Sequence, residues 1–259
     1  MYFCNEISVI KMKKRSLFVI LFILCAACMQ AQQYKIQSCR WRRIDVTSRF
    51  DSLLSPESVA ILTHYKSKVD SIVKPALGLS RRAMSPGKPE SLLGNWIADV
   101  IVEGGTATGL EPADMGLVNI GSLRSDMPDG IITQGNIIQI SPFDNYIVVL
   151  EMRGKDMVEL MREIAAVGGE AVSSSIRMEI SSDGELLSST IDGKEIAPQR
   201  IYKVATIDYL AEGNDGMTAL TKAVKRHDIG ILIQDIMSEY VIKHRVMDSS
   251  IEGRIKIKE

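Results

Sequence analysis

The chain has 259 residues, 46% of them hydrophobic and 24% charged, with a formal net charge of −1. That length and apolar content suffice for one large globular domain, or two small ones, with a sizeable core. The near-neutral charge gives no basic footprint of the kind that nucleic-acid-binding proteins carry, so we expect no nucleic-acid partner. Any anionic ligand must therefore be met by a local group of basic side chains.

The first 31 residues have the pattern of a signal peptide. A basic run precedes an almost wholly apolar stretch from Leu17 to Ala27, which is shorter than the roughly 20 residues of a membrane-spanning helix. Cys25-Ala-Ala-Cys28 resembles a bacterial lipobox, with Cys25 where leucine is usual. Lipidation at Cys28 and ordinary cleavage after Ala31 both stay open. Either route predicts an exported protein, periplasmic or anchored to a membrane as a lipoprotein.

Residues 32–89 are predicted to form an N-terminal arm, a helix and a linker. We predict an extended arm with a strand over Gln37 to Arg49. A helix is predicted from Pro56 to Pro75, because Ser55 can cap it and apolar residues follow at helical spacing. Ser80 to Pro89 holds two prolines and a glycine and is predicted to be a linker.

The main domain is predicted to span residues 90–259. Apolar periodicity predicts helices at Leu92–Glu103, Lys155–Val167 and Asp228–Arg245. Strands are predicted at Asp114–Val118, Ile137–Ile140, Tyr146–Met152, Ile176–Ile180, Leu186–Ile191, Tyr202–Ile207 and Ile251–Ile257. Helices interleaved with hairpins indicate an α+β domain with mixed β-sheets and packed helices.

Three short segments place recognition groups beside residues that favour turns. Asn119-Ile-Gly-Ser-Leu-Arg124 offers a guanidinium, which suits a phosphate. Ser141-Pro-Phe-Asp-Asn145 places Phe143 in a polar turn as a candidate stacking platform. Tyr209-Leu-Ala-Glu-Gly-Asn-Asp-Gly216 places the carboxylate of Asp215 where it can accept hydrogen bonds from a sugar.

Each of the three segments also has a plain structural interpretation. Arg124 is equally compatible with a surface salt bridge, and Phe143 with a ring that folds back onto the core. Asp215 is compatible with a turn residue at the start of a helix from Met217. The residues alone do not choose between these alternatives.

The order of the motifs resembles the C-terminal domain of the 5′-nucleotidase family. The motifs are Glu90-Ser-Leu-Leu-Gly-Asn-Trp-Ile-Ala-Asp99, the Asn-x-Gly-x-x-Arg loop, Pro-Phe-x-Asn, Tyr-Leu-Ala-x-Gly-x-Asp-Gly and Ile251-Glu-Gly-Arg-Ile-Lys256. The resemblance covers roughly residues 56 to 257. It implies a domain that binds the base and sugar of a nucleotide, while a separate metallophosphoesterase domain with two metal ions performs the hydrolysis.

The resemblance also implies a role for each candidate residue. Phe143 and Tyr209 match the aromatics that sandwich the base, with Tyr209 in place of the usual phenylalanine. Asp215 matches the carboxylate that holds the ribose hydroxyls, and Asn145 matches an amide that contacts the base. Asn119 and Arg124 match groups near the ribose and the phosphate. We interpret Asn95 and Asp99, in the opening helix, as structural.

Some positions depart from the family's pattern. Ile120 stands where the first glycine of Asn-Gly-Gly is usual, and Asn214 stands where Gly-Gly-Asp-Gly is common. A second phosphate-contacting arginine is often found about eight residues after the helix Asp, where this chain has Thr106-Ala107-Thr108. The absence of that arginine predicts weaker binding of a phosphate, whereas both aromatic positions of the base sandwich are retained.

No catalytic residue and no metal or cofactor site is predicted in this chain. Its three histidines form no HxH, HxxxH or HExxH pair, so divalent metals are expected on a partner. We therefore predict the nucleotide- or nucleoside-recognition subunit of a split 5′-nucleotidase that acts with a separate metallophosphoesterase. The alternatives are a stand-alone nucleoside- or nucleotide-binding exported lipoprotein without hydrolytic activity, and an exported domain whose site has degenerated.

Overall fold

The computed structural model describes residues 37–45, 47–53, 55–106 and 112–258. The chain divides into two compact units between Ser55 and Pro56. In the first unit, the described residues form a 3-10 helix at Ser48–Leu53, and residues 37–45 form no strand. The strand predicted there is wrong, because adjacent Arg42 and Arg43 break the alternation that a half-buried strand needs. The predicted signal peptide, with Cys28, lies outside the described residues.

The second unit contains the helices and strands that build the domain. Its helices are α1 Pro56–Val73, α2 Leu92–Thr106, α3 Gln134–Ile140, α4 Gly154–Ala166, α5 Asp208–Ala211 and α6 Ile233–His244. Its strands are β1 Ala76–Ser80, β2 Met115–Val118, β3 Gly130–Thr133, β4 Tyr146–Arg153, β5 Ala171–Val172, β6 Ile176–Ser181, β7 Leu186–Ile191, β8 Lys194–Glu195, β9 Ile201–Ile207, β10 Lys225–Leu232, β11 Val246–Met247 and β12 Ile255–Lys258.

The strands of this unit form three mixed sheets. A five-stranded sheet has the order β10-β4-β9-β2-β5, in which β2 and β9 are parallel and the other pairs antiparallel. A three-stranded sheet has the order β11-β1-β3, and a four-stranded sheet the order β12-β6-β7-β8. The predicted α+β class with mixed sheets is confirmed.

Helix α2 is packed closely against the five-stranded sheet. Leu93, Ile97 and Ile101 recur at helical spacing and are wholly buried, as predicted. At Gly116 in β2, a Cβ atom would lie 2.2 Å from the carbonyl oxygen of Ala98. Only glycine therefore allows β2 to lie this close to helix α2. This close packing fixes the position of the end of β2 and of the loop that follows it.

The strand predicted at residues 137–140 is wrong, because these residues belong to helix α3. Thr133 caps the helix: its hydroxyl accepts a hydrogen bond from the backbone N–H of Asn136, while the Asn136 side chain accepts from the N–H of Thr133. This reciprocal capping box satisfies donors that would otherwise be unpaired at the helix start. It outweighs the strand propensity of the isoleucines that follow.

The helix predicted from Asp228 is correct only from Ile233. Residues 225–232 form β10, which pairs with β4 in antiparallel register, with Lys225 opposite Glu151. Between residues 226 and 231, half-buried His227, Ile229 and Ile231 alternate with exposed residues, which is the period of a strand. The strand period of β10 runs directly into the helical period of α6, with no proline between them. The sequence therefore predicts a single helix.

The segment predicted as a linker, residues 80–89, is part of the domain. Strand β1 immediately before it pairs with both β3 and β11. Met84 is fully buried and forms an isolated β-bridge with Met127. The compact unit therefore extends N-terminal to the predicted boundary at Glu90.

The opening motif of the domain and its last motif meet in a buried polar cluster. Arg254, 2% exposed, donates to both carboxylate oxygens of Asp99 at 3.0 and 2.7 Å. Asn95 donates to Glu90 at 2.7 Å and to the carbonyl of Ser250 at 2.8 Å. The structural interpretation of Asn95 and Asp99 is confirmed by these contacts.

Candidate functional site

A cleft of about 430 Å³ opens at the ends of β2, α3 and β9. Ligand pockets in proteins have volumes of about 300–1,000 Å³. Its lining contains all six predicted substrate-binding residues together with Gly121 and Ser122, namely Asn119, Gly121, Ser122, Arg124, Phe143, Asn145, Tyr209 and Asp215. Three loops that are far apart in sequence therefore contribute to one cleft.

The first loop is held from behind by a buried carboxylate. The backbone N–H of Ile120 donates to Glu170 at 2.5 Å, and Glu170 is paired with Lys88 at 2.7 Å. At the other end of the loop, the backbone N–H of Arg124 donates to the carbonyl of Ile140 at 2.7 Å. The loop is thus fixed at both ends, which positions Arg124 beside the second loop.

The guanidinium of Arg124 is exposed and lies 5.3 Å from the ring centroid of Phe143. Among the described residues, its side chain forms no hydrogen bond and no ion pair. A surface salt bridge, the alternative interpretation of Arg124, is therefore not found in that part of the chain. A guanidinium that stacks on a ring can still direct its N–H donors toward an anion.

The second loop carries Phe143 and Asn145. Gln234 of α6 donates to the carbonyls of Ser141 at 2.7 Å and Phe143 at 3.3 Å, and the N–H of Ile233 donates to Asn145 at 3.0 Å. Phe143 is 40% exposed, so it does not fold back onto the core. The Asn145 amide makes no hydrogen bond within the described ranges.

The third loop begins at the end of β9, where Tyr209 lies in the short helix α5 and is 41% exposed. One oxygen of Asp208 accepts from the backbone N–H of Tyr209 at 2.8 Å and from that of Tyr146 at 3.2 Å. Since Tyr146 directly follows the second loop, Asp208 joins the two loops. Sequence reasoning missed Asp208 and Gln234, because their hydrogen bonds connect segments distant in the chain.

Asp215 points its carboxylate into the cleft. The Tyr209 hydroxyl donates to Oδ1 at 2.9 Å, and the Asn119 amide donates to Oδ2 at 2.6 Å. The Asp215 backbone is left-handed, with φ of 53°, between Gly213 and Gly216, which also have positive φ. Residues 214–216 and 218–222 form 3-10 turns that this side chain does not cap, so the carboxylate faces its partners across the cleft instead.

The hydrogen bond to Asp215 raises the pKa of the Tyr209 phenol above its ordinary value. The carboxylate favours the protonated phenol, because the ionised phenol is a negative charge without a proton to donate. Tyr209 therefore remains a neutral donor at physiological pH. Arg124 and Asp215 are the charged side chains among the described residues that line the cleft.

The described residues contain no group of three or more His, Cys, Asp or Glu side chains arranged to hold a metal ion. No helix in that part of the chain is both long and apolar enough to cross a membrane. The cleft thus offers two exposed rings, two amides, a guanidinium and a carboxylate. These groups can stack on a flat ring and exchange hydrogen bonds with a polar ligand.

Fold and site together define an α+β domain of mixed sheets with one cleft lined by aromatic, amide and charged side chains. A family model described as the 5′-nucleotidase, C-terminal domain, matches residues 68–222, more than half of the chain. The chain belongs to this family.

Similar proteins are considerably longer than this chain. Protein UshA of Escherichia coli is 25% identical over 142 residues, covering 54% of this chain and 26% of that protein. The trifunctional nucleotide phosphoesterase protein YfkN of Bacillus subtilis is 26% identical over 223 residues, covering 78% of this chain and 15% of that protein. The chain thus spans about a quarter of the length of the first relative and less of the second.

Solved structures share the fold. The 5′-nucleotidase precursor of Thermus thermophilus superposes with a TM-score of 0.69 at 22% identity, covering 78% of this chain and 43% of that chain. The NAD nucleotidase of Haemophilus influenzae superposes with a TM-score of 0.61 at 19% identity, covering 86% and 47%. At these identities the likeness establishes the fold, in agreement with the family model.

Proposed function

We propose that the cleft binds a nucleoside or nucleotide and that the chain is the recognition subunit of a 5′-nucleotidase-type phosphohydrolase. Hydrolysis would then be performed by a metallophosphoesterase on a separate polypeptide, which would hold the divalent metals. The proposal rests chiefly on one observation: a single cleft combines two exposed aromatic rings, a fixed carboxylate and an uncommitted guanidinium.

The nucleoside half of the proposal follows from the aromatic rings and the carboxylate. Phe143 and Tyr209 line the cleft and are 40% and 41% exposed, although exposed aromatic surface is unfavourable in water. A base stacked on such a ring contributes about 1–3 kcal/mol. Both carboxylate oxygens of Asp215 act as hydrogen-bond acceptors, which suits the hydroxyls of a sugar.

The phosphate half of the proposal follows from Arg124. Its donors are not taken up by any described residue, and a guanidinium binds phosphate oxygens with two parallel hydrogen bonds. Arg124 is also the only cationic side chain among the described residues of the cleft. One arginine can orient a phosphate, but the bulk of the charge on a nucleotide would need neutralisation by groups of the partner.

The docking of a partner is supported by helix α1. None of its residues is buried, although it has 18 residues. Six of its apolar side chains follow one side of the helix and are 45–61% exposed, namely Val59, Ile61, Leu62, Tyr65, Val69 and Ile72. Helices draw most of their stability from packing an apolar face. We therefore propose this face of α1 as the docking surface for the metallophosphoesterase.

The full-length purified chain should bind adenosine and AMP in titration calorimetry and release no phosphate from AMP with Mg²⁺, Mn²⁺ or Zn²⁺. Adding a separately encoded metallophosphoesterase from the same genome should restore phosphate release. The double variant Ile61→Glu, Tyr65→Glu should abolish that restoration without affecting adenosine binding. Metal-dependent phosphate release by the chain alone, abolished by Asp215→Ala, would refute the split arrangement.

A second candidate is a stand-alone nucleoside-binding exported lipoprotein without hydrolytic activity. It is favoured by the charge of the cleft, because Arg124 is the one cationic side chain among its described residues, whereas two aromatic rings and the Asp215 carboxylate are available for a nucleoside. In that case adenosine should bind as tightly as AMP, and no metallophosphoesterase should restore hydrolysis. Both proposals include export, with the mature chain either periplasmic or held at a membrane by a lipid anchor at Cys28. Cys28→Ala should release the protein from the membrane fraction if the anchor is present.

A further inference from the structure

The Asp215 carboxylate is held by two donors from two different loops. Tyr209 Oη donates to Oδ1 at 2.9 Å, and Asn119 Nδ2 donates to Oδ2 at 2.6 Å. Each carboxylate oxygen has two lone-pair sites, so each retains one free site after these bonds are made. The plane of the carboxylate is fixed, and both oxygens remain available to a ligand.

Two adjacent hydroxyls on a sugar ring can donate to the two oxygens of one carboxylate at the same time. We infer that Tyr209 is a positioning residue whose hydroxyl fixes the Asp215 carboxylate in the orientation that binds a vicinal diol. This orientation makes the cleft selective for ribose over 2′-deoxyribose. This inference rests on the proposed function, since it assumes that the cleft takes nucleosides. It assigns the ring and the hydroxyl of Tyr209 to different tasks, stacking and sugar selection.

The arrangement around Asp215 is unfavourable in two respects, which is typical of a functional site. Its left-handed backbone, with φ of 53°, is uncommon for a residue other than glycine. The Asn119 amide, by donating to Asp215, leaves its own buried Oδ1 without a hydrogen bond among the described residues. A buried unpaired carbonyl destabilises a fold. Asn119 therefore orients the Asp215 carboxylate at the expense of local stability.

The Tyr209 hydroxyl is not needed to complete the core. Tyr209 is 41% exposed, and a phenylalanine in its place would keep the same ring at the cleft. An exposed hydroxyl can be satisfied by water, yet here it bonds the carboxylate. Tyr209→Phe is therefore expected to leave folding and base stacking intact and to remove only the restraint on Asp215.

The test compares adenosine with 2′-deoxyadenosine in titration calorimetry on the full-length chain. The unmodified chain should prefer adenosine. Tyr209→Phe should weaken adenosine binding about 5-fold, as expected for one lost hydrogen bond, and change 2′-deoxyadenosine binding less than twofold. Tyr146→Phe is the matched control. Tyr146 is 44% exposed and lies outside the cleft, and its hydroxyl bonds no described residue.

A double-mutant cycle identifies the route of the effect. If Tyr209 acts through Asp215, Tyr209→Phe should have almost no effect on adenosine binding in the Asp215→Asn background. Equal losses for both nucleosides, or additive losses in the cycle, would overturn the inference. Unchanged adenosine preference in Tyr209→Phe would overturn it and leave the proposed function standing. Failure of the unmodified chain to bind either nucleoside would refute the proposed function and the inference together.

Discussion

Two arginine side chains of this domain lie in opposite environments, one buried and hydrogen-bonded and one exposed, although each arginine follows a glycine-containing turn. The side chain of Arg254 is 2% exposed and donates to Asp99, to Glu252 at 3.1 Å, and to backbone carbonyls including that of Val172 at 2.8 Å. The side chain of Arg124 is exposed and donates to no described residue. Its guanidinium lies over the ring of Phe143, 5.3 Å from the ring centroid.

The difference shows how a structural polar cluster is distinguished from a binding site. Every donor in a buried cluster needs an acceptor within the protein, because water cannot reach it. In an open binding cleft, by contrast, some donors and acceptors have no partner within the protein, because they pair with the ligand. By this criterion the Arg254 cluster stabilises the domain, whereas the cleft of Arg124 has the open groups that the proposed binding of a ligand requires.

The largest expected effect concerns the buried cluster. Arg254→Met should reduce the free energy of unfolding by about 3–5 kcal/mol, since the carboxylate and carbonyls around it lose their donor. Arg124→Met, the matched control, should change it by about 0.5 kcal/mol or less. Urea unfolding of both variants measures the contrast. Similar losses in the two variants would mean that Arg124 also has a structural role.

The next effect concerns the exposed aromatic ring. Phe143→Ala should weaken adenosine binding by about 5- to 150-fold, corresponding to a stacking contribution of about 1–3 kcal/mol. Its melting temperature should change little, because the ring is 40% exposed. Tyr146→Ala, which removes an aromatic of similar exposure outside the cleft, should leave the affinity unchanged. A large loss of melting temperature with unchanged affinity would place Phe143 in the core.

Arg124 should distinguish phosphorylated from unphosphorylated ligands. Arg124→Ala should weaken AMP binding by about 10-fold, because a charge-assisted contact is lost, and adenosine binding by less than about twofold. AMP binding to the unmodified chain should also weaken with added salt, as adenosine binding should not. Arg82→Ala, which removes an arginine paired with Asp248 outside the cleft, serves as the control. Equal losses for the two ligands would exclude Arg124 as a phosphate contact.

The smallest effect concerns pH. The hydrogen bond to Asp215 raises the pKa of Tyr209, so the donating phenol is fully present below its ordinary pKa of about 10 and is lost only as the pH rises through the higher, folded value. The preference for adenosine over 2′-deoxyadenosine should therefore stay constant between about pH 6 and 9. A decline of that preference centred near neutral pH would show that another group controls it.

The sequence predicted the parts of the fold in which one periodicity is sustained. Helices α2 and α4 are amphipathic over three turns or more, and each buries the side on which the sequence spaces its apolar residues. Prediction failed where a short apolar run was ambiguous. The isoleucines of α3 also suit a strand, and only the capping box at Thr133 decides for a helix.

The candidate site was predicted residue by residue only through the order of the family motifs. Composition and local turn chemistry left Arg124, Phe143 and Asp215 each with a plain structural alternative. What the sequence does not contain is the pairing between loops. The contacts of Asp215 with Asn119, and of Asp208 with Tyr146, join residues about 60 to 100 positions apart and depend on the completed sheet.

The shared hydrogen-bond acceptor at Asp208 has a kinetic consequence. One of its oxygens accepts from the backbone N–H of Tyr146, directly after the second loop, and from that of Tyr209 in the third. The segments that carry the two aromatic rings are therefore already coupled before a ligand arrives. A preorganised site loses little conformational freedom on binding. Observed association rates should therefore rise linearly with ligand concentration, without the plateau that marks a slow closing step.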